Sequence, residues 1–415
     1  MSWDEAELAL DGPPELATVR IGMVPLTDCA PLAIAHLQGR FRRCGIEVEL
    51  SLEPSWANIR DKVIYGALDA AHMLHALPLA IHLGLGCRAT PMLVPMVLNQ
   101  NGNAITVSAG LAEAMGGEPS AAALKRVIDF RRSIGAAPLT FAATFPWSSH
   151  NYLLRYWLAS AGIDPDRDLE IAVVPPPMMA QNLAARHVDG FCAGEPWNQL
   201  AVSRGHGRIA ALSRDIRRSH PEKVLGVTRA WAERHPNTLR ALVAAILGAA
   251  RWLDEPANRA TAAELMVSHG YVEAPVEVVA DGLLNGADRM VFHRGAANFP
   301  WLSHAELTLA QMRRWGQIDA EVPLAETAAQ VFRPDVYRPI AAALGVASPT
   351  VDRKTEGDHA EPWVLAAATQ PIAMAPDRPI DGRRFDPADI AGYLAGLPRF
   401  EATDVPASRG AARRS

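Results

Sequence analysis

The chain has only four cysteines, Cys29, Cys44, Cys87 and Cys192, with no C-x-x-C pair among them. A thiolate metal site is not expected from that spacing, which fits small buried thiols in a reducing compartment better than a disulfide scaffold. Long apolar runs are missing as well. The longest, Ala241 to Ala250 between Arg240 and Arg251, falls far short of the roughly 20 residues a membrane-crossing helix needs. The opening MSWDEAELALDGPPELATV is acidic, without a basic start or an apolar stretch, and no lipoprotein-type cysteine follows an apolar run. A secretory signal is therefore not expected, and the sequence reads as cytoplasmic. Positive charge is scarce too. A formal net charge of −5 and a pI near 6.2 leave no basic footprint for direct contact with nucleic acid, and the basic RGAARRS at the end is short. No G-x-x-x-x-G-K-[ST], G-x-S-x-G, H-E-x-x-H or dinucleotide-binding glycine pattern occurs, and Gly84-Leu85-Gly86 lacks a third glycine. Neither an enzyme, a cofactor nor a metal is expected.

What is present is enough apolar content, 49% of 415 residues, for two ordinary cores. Strand and helix patterns alternate, and they do so twice. The first copy runs through a strand Val19–Val24, a helix from Pro31 to Cys44 with Asp28 as its cap, and a strand Ile46–Leu52. A helix Ser55–Tyr65 and the run Leu68–Leu74 complete it. The second runs through Leu139–Ala143, a helix Asn151–Ala161, Leu169–Val174, a helix near Met178–Arg186, and Val188–Ala193. In both copies the first helix stops at Gly-Ile, and the third strand opens with an apolar residue followed by Asp69 or Asp189. Two such units predict an α/β protein of two open, mainly parallel sheets, with ligand binding beyond the carboxyl ends of the strands. The expected division is 18–107 and 220–350 for one lobe, 108–219 for the other, and an extended wrap over 351–415.

Four blocks between Phe145 and Gly226 suggest a small-anion cleft: FPWSSHNYLLRYWL, PPPMM, FCAGEPWN and HPEKVLG. A strand that ends at Ala143 and feeds a helix capped by Ser148 or Ser149 aims unpaired N–H groups and a positive dipole end at one spot. His150 sits at that end, and Lys223 is expected on a later loop. Taken singly, each block also fits a capped helix with a surface lysine.

FPWSSHNYLLRYWLASAGIDPD, VVPPPMMAQNL, DGFCAGEPWN and HPEKVLGV resemble the nitrate/bicarbonate branch of the ABC-transporter substrate-binding proteins. PSWANIRDKVIYGALDAAHML and NQNGNAI match the same branch, so the resemblance spans roughly 18–350. It implies a two-lobed periplasmic-binding-protein-like (type II) fold with the ligand between the lobes. It also implies that Trp56, Asn103, His150, Gly194 and Lys223 contact nitrate or nitrite. By residue type alone, Trp56 is as readily a packing tryptophan, and Asn103 lies in a polar cluster that reads as a turn. The branch often carries Gln where Asn103 stands, one methylene longer. In the resemblance, nitrate binders have a lysine at the Lys223 position, where bicarbonate binders have an acid that recruits a metal. Glu195-Pro196 reads as a helix start with proline at its first position. His72, His75 and His82 read as one face of a lobe-edge helix.

The resemblance extends to cytoplasmic nitrate/nitrite sensors of that branch, which hold an ANTAR-type RNA-binding antiterminator and release it on binding ligand. On that reading the chain touches RNA only through its partner. The alternatives are a receptor that feeds an ABC permease, and an enzyme resembling the thiamine-pyrimidine synthases, which use a His and a Lys.

Overall fold

In chain order the strands are β1 (Thr18–Met23), β2 (Glu47–Leu52), β3 (Ala70–Leu74), β4 (Met92–Asn101), β5 (Asn103–Ser108), β6 (Leu139–Ala143) and β7 (Leu169–Val173). Then come β8 (Gly190–Gly194), β9 (Gly207–Leu212), β10 (Pro221–Thr228), β11 (Met290–Val291), β12 (Trp363–Leu365) and β13 (Ile372–Met374). The computed structural model describes residues 12–284 and 289–398. The acidic start (1–11) and the basic RGAARRS end lie outside the described residues. One lobe is built on a sheet of order β11-β4-β10-β3-β1-β2, the other on a sheet of order β7-β6-β8-β5-β9.

The repeat seen in the sequence is repeated in the hydrogen bonding. Within each lobe the first strand pairs in parallel with the second and the third, β1 with β2 and β3, and β6 with β7 and β8. Asp69 Oδ2 accepts from Arg20 N at 2.9 Å, and Asp189 Oδ2 accepts from Thr140 N at 2.8 Å. The two aspartates thus fasten the first strand of each lobe to the third in the same way.

The sheets are mixed, not mainly parallel as expected. β10 runs antiparallel to β3 and β4, and β5 antiparallel to β8 and β9. The cause is the route of the chain. A segment arriving from the opposite lobe enters at the cleft, where the parallel strands end, and must run against them. Among the described residues two such crossings feed these strands: one at Gly102, whose φ of +95° is open to glycine at little cost, and one over 213–220. The first lies ahead of the 107/108 boundary expected from the sequence, because Asn103–Ser108 is already a strand of the second sheet.

The helices largely follow their caps. Ser55 Oγ accepts from Asn58 N to start the Trp56–Ile64 helix, and Ser148 Oγ accepts from Asn151 N to start Ser149–Ser160. The helix expected over 31–44 is instead two pieces, Ala30–Leu37 and Arg40–Arg43, because Gly39 turns left-handed between them. Asp28 caps neither piece, since its side chain is used elsewhere. Pro196 precedes the Trp197–Ser203 helix as its cap residue instead of opening it. The apolar run Ala241–Ala250 is buried inside the Pro236–Asp254 helix of the first lobe. Among the described residues no helix is long and apolar enough to cross a membrane. Past residue 350 the chain forms the β12–β13 hairpin and the Ile390–Ala395 helix, and it ties the lobes together. Ser303 Oγ donates to Glu356 at 2.6 Å on one side, and Tyr156 Oη donates to Asp381 at 2.6 Å on the other.

Candidate functional site

Where the lobes meet, the described structure is closed. Thr27 N and Oγ1 donate to the Glu195 carbonyl at 2.8 and 3.1 Å, and Trp197 Nε1 donates to the Pro25 carbonyl at 3.2 Å. Under this clasp lies a cluster of buried charges. Lys223 Nζ donates to Asp28 Oδ2 at 2.6 Å and to Glu222 Oε1 at 2.7 Å, and it stands 5.5 Å from the centre of the Trp56 ring. His72 Nε2 bonds Asp28 Oδ1 at 3.0 Å, and Asn103 Nδ2 donates to Glu222 Oε2 at 2.5 Å. His150 Nε2 lies 3.4 Å from Glu222 Oε1.

Lys223 is on strand β10, fully buried, and not on a loop as the sequence suggested. Neighbouring strand residues normally face opposite sides of a sheet. Lys223 and Glu222 nevertheless touch, because Glu222 is an extra residue inserted between Pro221↔Gln100 and Lys223↔Asn99 in the β10–β4 ladder. His72 and His82 do not share a helix face either. His72 is inside β3, His75 follows that strand, and only His82 is on a helix, Leu77–Leu83.

Burial opposes every charge in this cluster, and the contacts decide the outcome. For Asp28, burial pulls the carboxyl pKa up, but Lys223 and His72 outweigh it and hold the group below its ordinary value. Glu222 is likewise lowered, by Lys223, His150 and His220, against the pull of burial. Burial would lower Lys223, yet Asp28 and Glu222 lift it, so the amine stays an ammonium. Burial pushes His150 down to about 4 and lowers His72, so both imidazoles are neutral at neutral pH. Two carboxylates against one ammonium leave the cluster with one net negative charge.

The five residues singled out from the sequence converge here, with unequal roles. Trp56 Nε1 and His150 Nε2, one from each lobe, are buried and make no hydrogen bond, although His150 Nε2 approaches Glu222 Oε1. Thr144 Oγ1 holds His150 Nδ1 at 3.0 Å, which leaves Nε2 free to donate when the hydroxyl gives its proton to Nδ1. Gly194 is pressed so close that a Cβ there would stand 3.2 Å from Leu26 and 3.4 Å from both Asn103 Oδ1 and Asp28 Oδ2. Asn103 spends its amide nitrogen on Glu222, and the atom it leaves unpartnered is the carbonyl oxygen. That polarity is wrong for an anion as long as Glu222 is ionised. Glu195, on the same wall, is paired with Arg289. Sequence reasoning missed Glu222 entirely, cast Asp28 as a helix cap and placed His72 on the wrong element. Among the described residues, no group of His, Cys, Asp or Glu is placed to hold a metal ion.

Residues 12–267 match the NMT1-like family. The chain is 36% identical over 397 residues to the nitrate import ATP-binding protein NrtC of Synechocystis sp., covering 92% of this chain but only 55% of that one. It thus spans about half the length of that relative. It is 30% identical over 400 residues to the nitrate/nitrite binding protein NrtA of Nostoc sp. strain PCC 7120, covering 92% of this chain and 86% of the relative. The crystal structure of the periplasmic nitrate-binding protein NrtA from Synechocystis PCC 6803 superposes with a TM-score of 0.83 at 27% identity, over 94% of this chain and all of that one.

Proposed function

The chain belongs to the NMT1-like family, and from that premise we propose that its interlobe cluster binds nitrate or nitrite. The observation that carries the reading is the pair of buried nitrogens that make no hydrogen bond, Trp56 Nε1 and His150 Nε2, brought from opposite lobes beside Lys223 and Glu222. A dehydrated monoanion needs donors that replace its water, and an indole N–H, an imidazole N–H, a shared ammonium and a close glycine backbone supply them. A ligand held by both lobes stabilises the closed state by its differential affinity, so occupancy is converted into shape. Schiff-base chemistry of the thiamine-pyrimidine kind needs a neutral amine, whereas the paired Lys223 is held charged.

The chain acts, on this reading, as a cytoplasmic nitrate/nitrite sensor. Its ligand-free form holds an ANTAR-type RNA-binding antiterminator, and the anion releases it. A second reading, a substrate-binding component delivering the anion to an ABC permease, is favoured by the import proteins among the relatives. Calorimetric titration with nitrate, nitrite, bicarbonate and sulfate, with and without calcium, tests the ligand. Saturable nitrate or nitrite binding without calcium is expected, and binding of bicarbonate alone overturns the reading. Gel filtration with the co-purified antiterminator tests the role. A complex that nitrate dissolves supports the sensor, and one indifferent to nitrate, or none, moves the chain to the transport role.

A further inference from the structure

Behind the Lys223 cluster lies a second chamber of about 60 Å³. None of Trp56, Asn103, Gly194 or Lys223 lines it. Its polar wall includes His75, His220, His304, Arg217 and Ser149, together with Thr308 and with Gln311, whose amide is bonded to Tyr393 and Arg314. Each histidine is at least nine-tenths buried, and each leaves one ring nitrogen without a partner: His75 Nε2, His220 Nε2 and His304 Nδ1.

The bonds already made fix the protons on these rings. His220 Nδ1 lies 3.1 Å from the Pro221 carbonyl, which can only accept, so Nδ1 carries the hydrogen. His304 Nε2 lies 3.2 Å from Glu356 Oε2, and although burial raises that carboxyl, His304 and Lys354 hold it ionised, so Nε2 is the donor. Thr308 Oγ1 gives its proton to the His304 carbonyl at 2.9 Å and therefore accepts from His75 Nδ1 at 3.2 Å. Burial lowers all three imidazoles, so they stay neutral. The three nitrogens left over are bare acceptors.

The opposite polarity comes from two groups. The half-buried Arg217 guanidinium makes no side-chain hydrogen bond or ion pair among the described residues, and its charge is felt by all three histidines. Ser149 Oγ, in the first turn of the Ser149–Ser160 helix, is also unpartnered. The hydroxyls of Tyr152 and Tyr156 are bound to Gln317 and Asp381, so the tyrosines offer the chamber ring surface.

We propose that this chamber is a second binding site, for a small neutral amide of the urea class. Its carbonyl accepts from Arg217 and Ser149, its N–H groups donate to the three bare imidazole nitrogens, and its plane lies on the tyrosine rings. Size agrees: at roughly 10–15 Å³ per water-sized unit the chamber holds about four to six non-hydrogen atoms. The rival classes fail on polarity. A small carboxylate brings acceptors to a wall of acceptors, and ammonium sets a cation beside Arg217. His75 N donates to the Glu222 carbonyl at 3.0 Å, so an occupant adjoins the anion site without sharing its ligands.

Equilibrium dialysis of the full chain against radiolabelled urea tests this. Saturable retention at one equivalent is expected, displaced by acetamide but not by acetate or ammonium. Arg217→Leu and the chamber-filling Leu307→Trp should each weaken it at least tenfold while melting stays cooperative, and Ser149→Ala serves if either variant fails to fold. No saturable retention by the wild type means the chamber holds only water and overturns the proposal. So does displacement by acetate, or retention unchanged in variants that fold.

Discussion

Replacing Lys223 by methionine separates what the lysine does for the fold from what it does for the ligand. The ammonium sits 2.6 Å from Asp28 and 2.7 Å from Glu222, with all three side chains buried. Methionine keeps the apolar length that lies along Trp56 but leaves two carboxylates facing each other without a cation. Truncating one partner of a buried ion pair typically costs about 3–5 kcal/mol. Lys223→Glu would bury a third carboxylate, so methionine is the informative change. The diagnostic is a sign reversal with Glu222→Gln. In the wild type that substitution removes a charge Lys223 needs and should destabilise. In the Lys223→Met background it removes half of an uncompensated repulsion and should restore stability. Reversible denaturant unfolding of the four proteins measures this cycle. Calorimetry on the same set should show nitrate affinity reduced about 10–150-fold by Lys223→Met, the loss of one charge-assisted bond of roughly 1.5–3 kcal/mol. If Glu222→Gln destabilises both backgrounds equally, the three groups are not coupled. If Lys223→Met binds nitrate like the wild type, the lysine is structural only.

Gly194→Ala should weaken nitrate binding at least tenfold with a small change in melting temperature, because the added Cβ enters the space between Leu26, Asn103 and Asp28; unchanged affinity by calorimetry would refute the close approach. Anion binding should take up a proton, since a monoanion joins a cluster already carrying one net negative charge, and His150 is the free imidazole beside it. Its value of about 4 without ligand must rise when an anion meets Nε2, so affinity should increase as pH falls from 7 towards 5, and titrations in two buffers of different ionisation heat should report the uptake. The ligand-free fold shows the opposite trend. Between the usual histidine value of 6.5 and about 4, the unfolded chain binds more protons at His150 and His220 than the folded one, so stability should fall with falling pH, as melting curves will show. Nitrate at a hundredfold excess over Kd should add about 2.7 kcal/mol, read as a raised melting temperature without calcium; a shift seen only with calcium refutes the metal-free site.

Much of this architecture was legible in the sequence because its signals are local. The Gly-Ile stops, the aspartates at the third strands and the serine caps each act within a few residues of themselves, and their repetition announced two lobes. The site was legible only in part, for the opposite reason. Glu222 reaches Lys223 because of an irregularity in pairing with β4, more than a hundred residues away, and alternation along a strand predicts that the two point apart. Asp28 has the residue type and position of a cap, and only the long-range arrival of Lys223 and His72 gives it other work. The polarity of Asn103 is set by Glu222, so it could not be read before Glu222 was placed.

The two crossings between the lobes, at Gly102 and over 213–220, bear on how occupancy is read from outside. Asn103 directly follows the first crossing, and Glu222 and Lys223 closely follow the second. On the proposed function, an anion at this cluster would sit beside these two crossings, close to where the lobes are joined. If the lobes turn about these crossings, a ligand there would shift by little, while the outer edges of both lobes would sweep a longer arc. A partner of the kind the proposed sensor role requires would then gain most by holding the outer rims, far from the chemistry it reports, and an optical or spin label meant to follow the ligand would belong there as well.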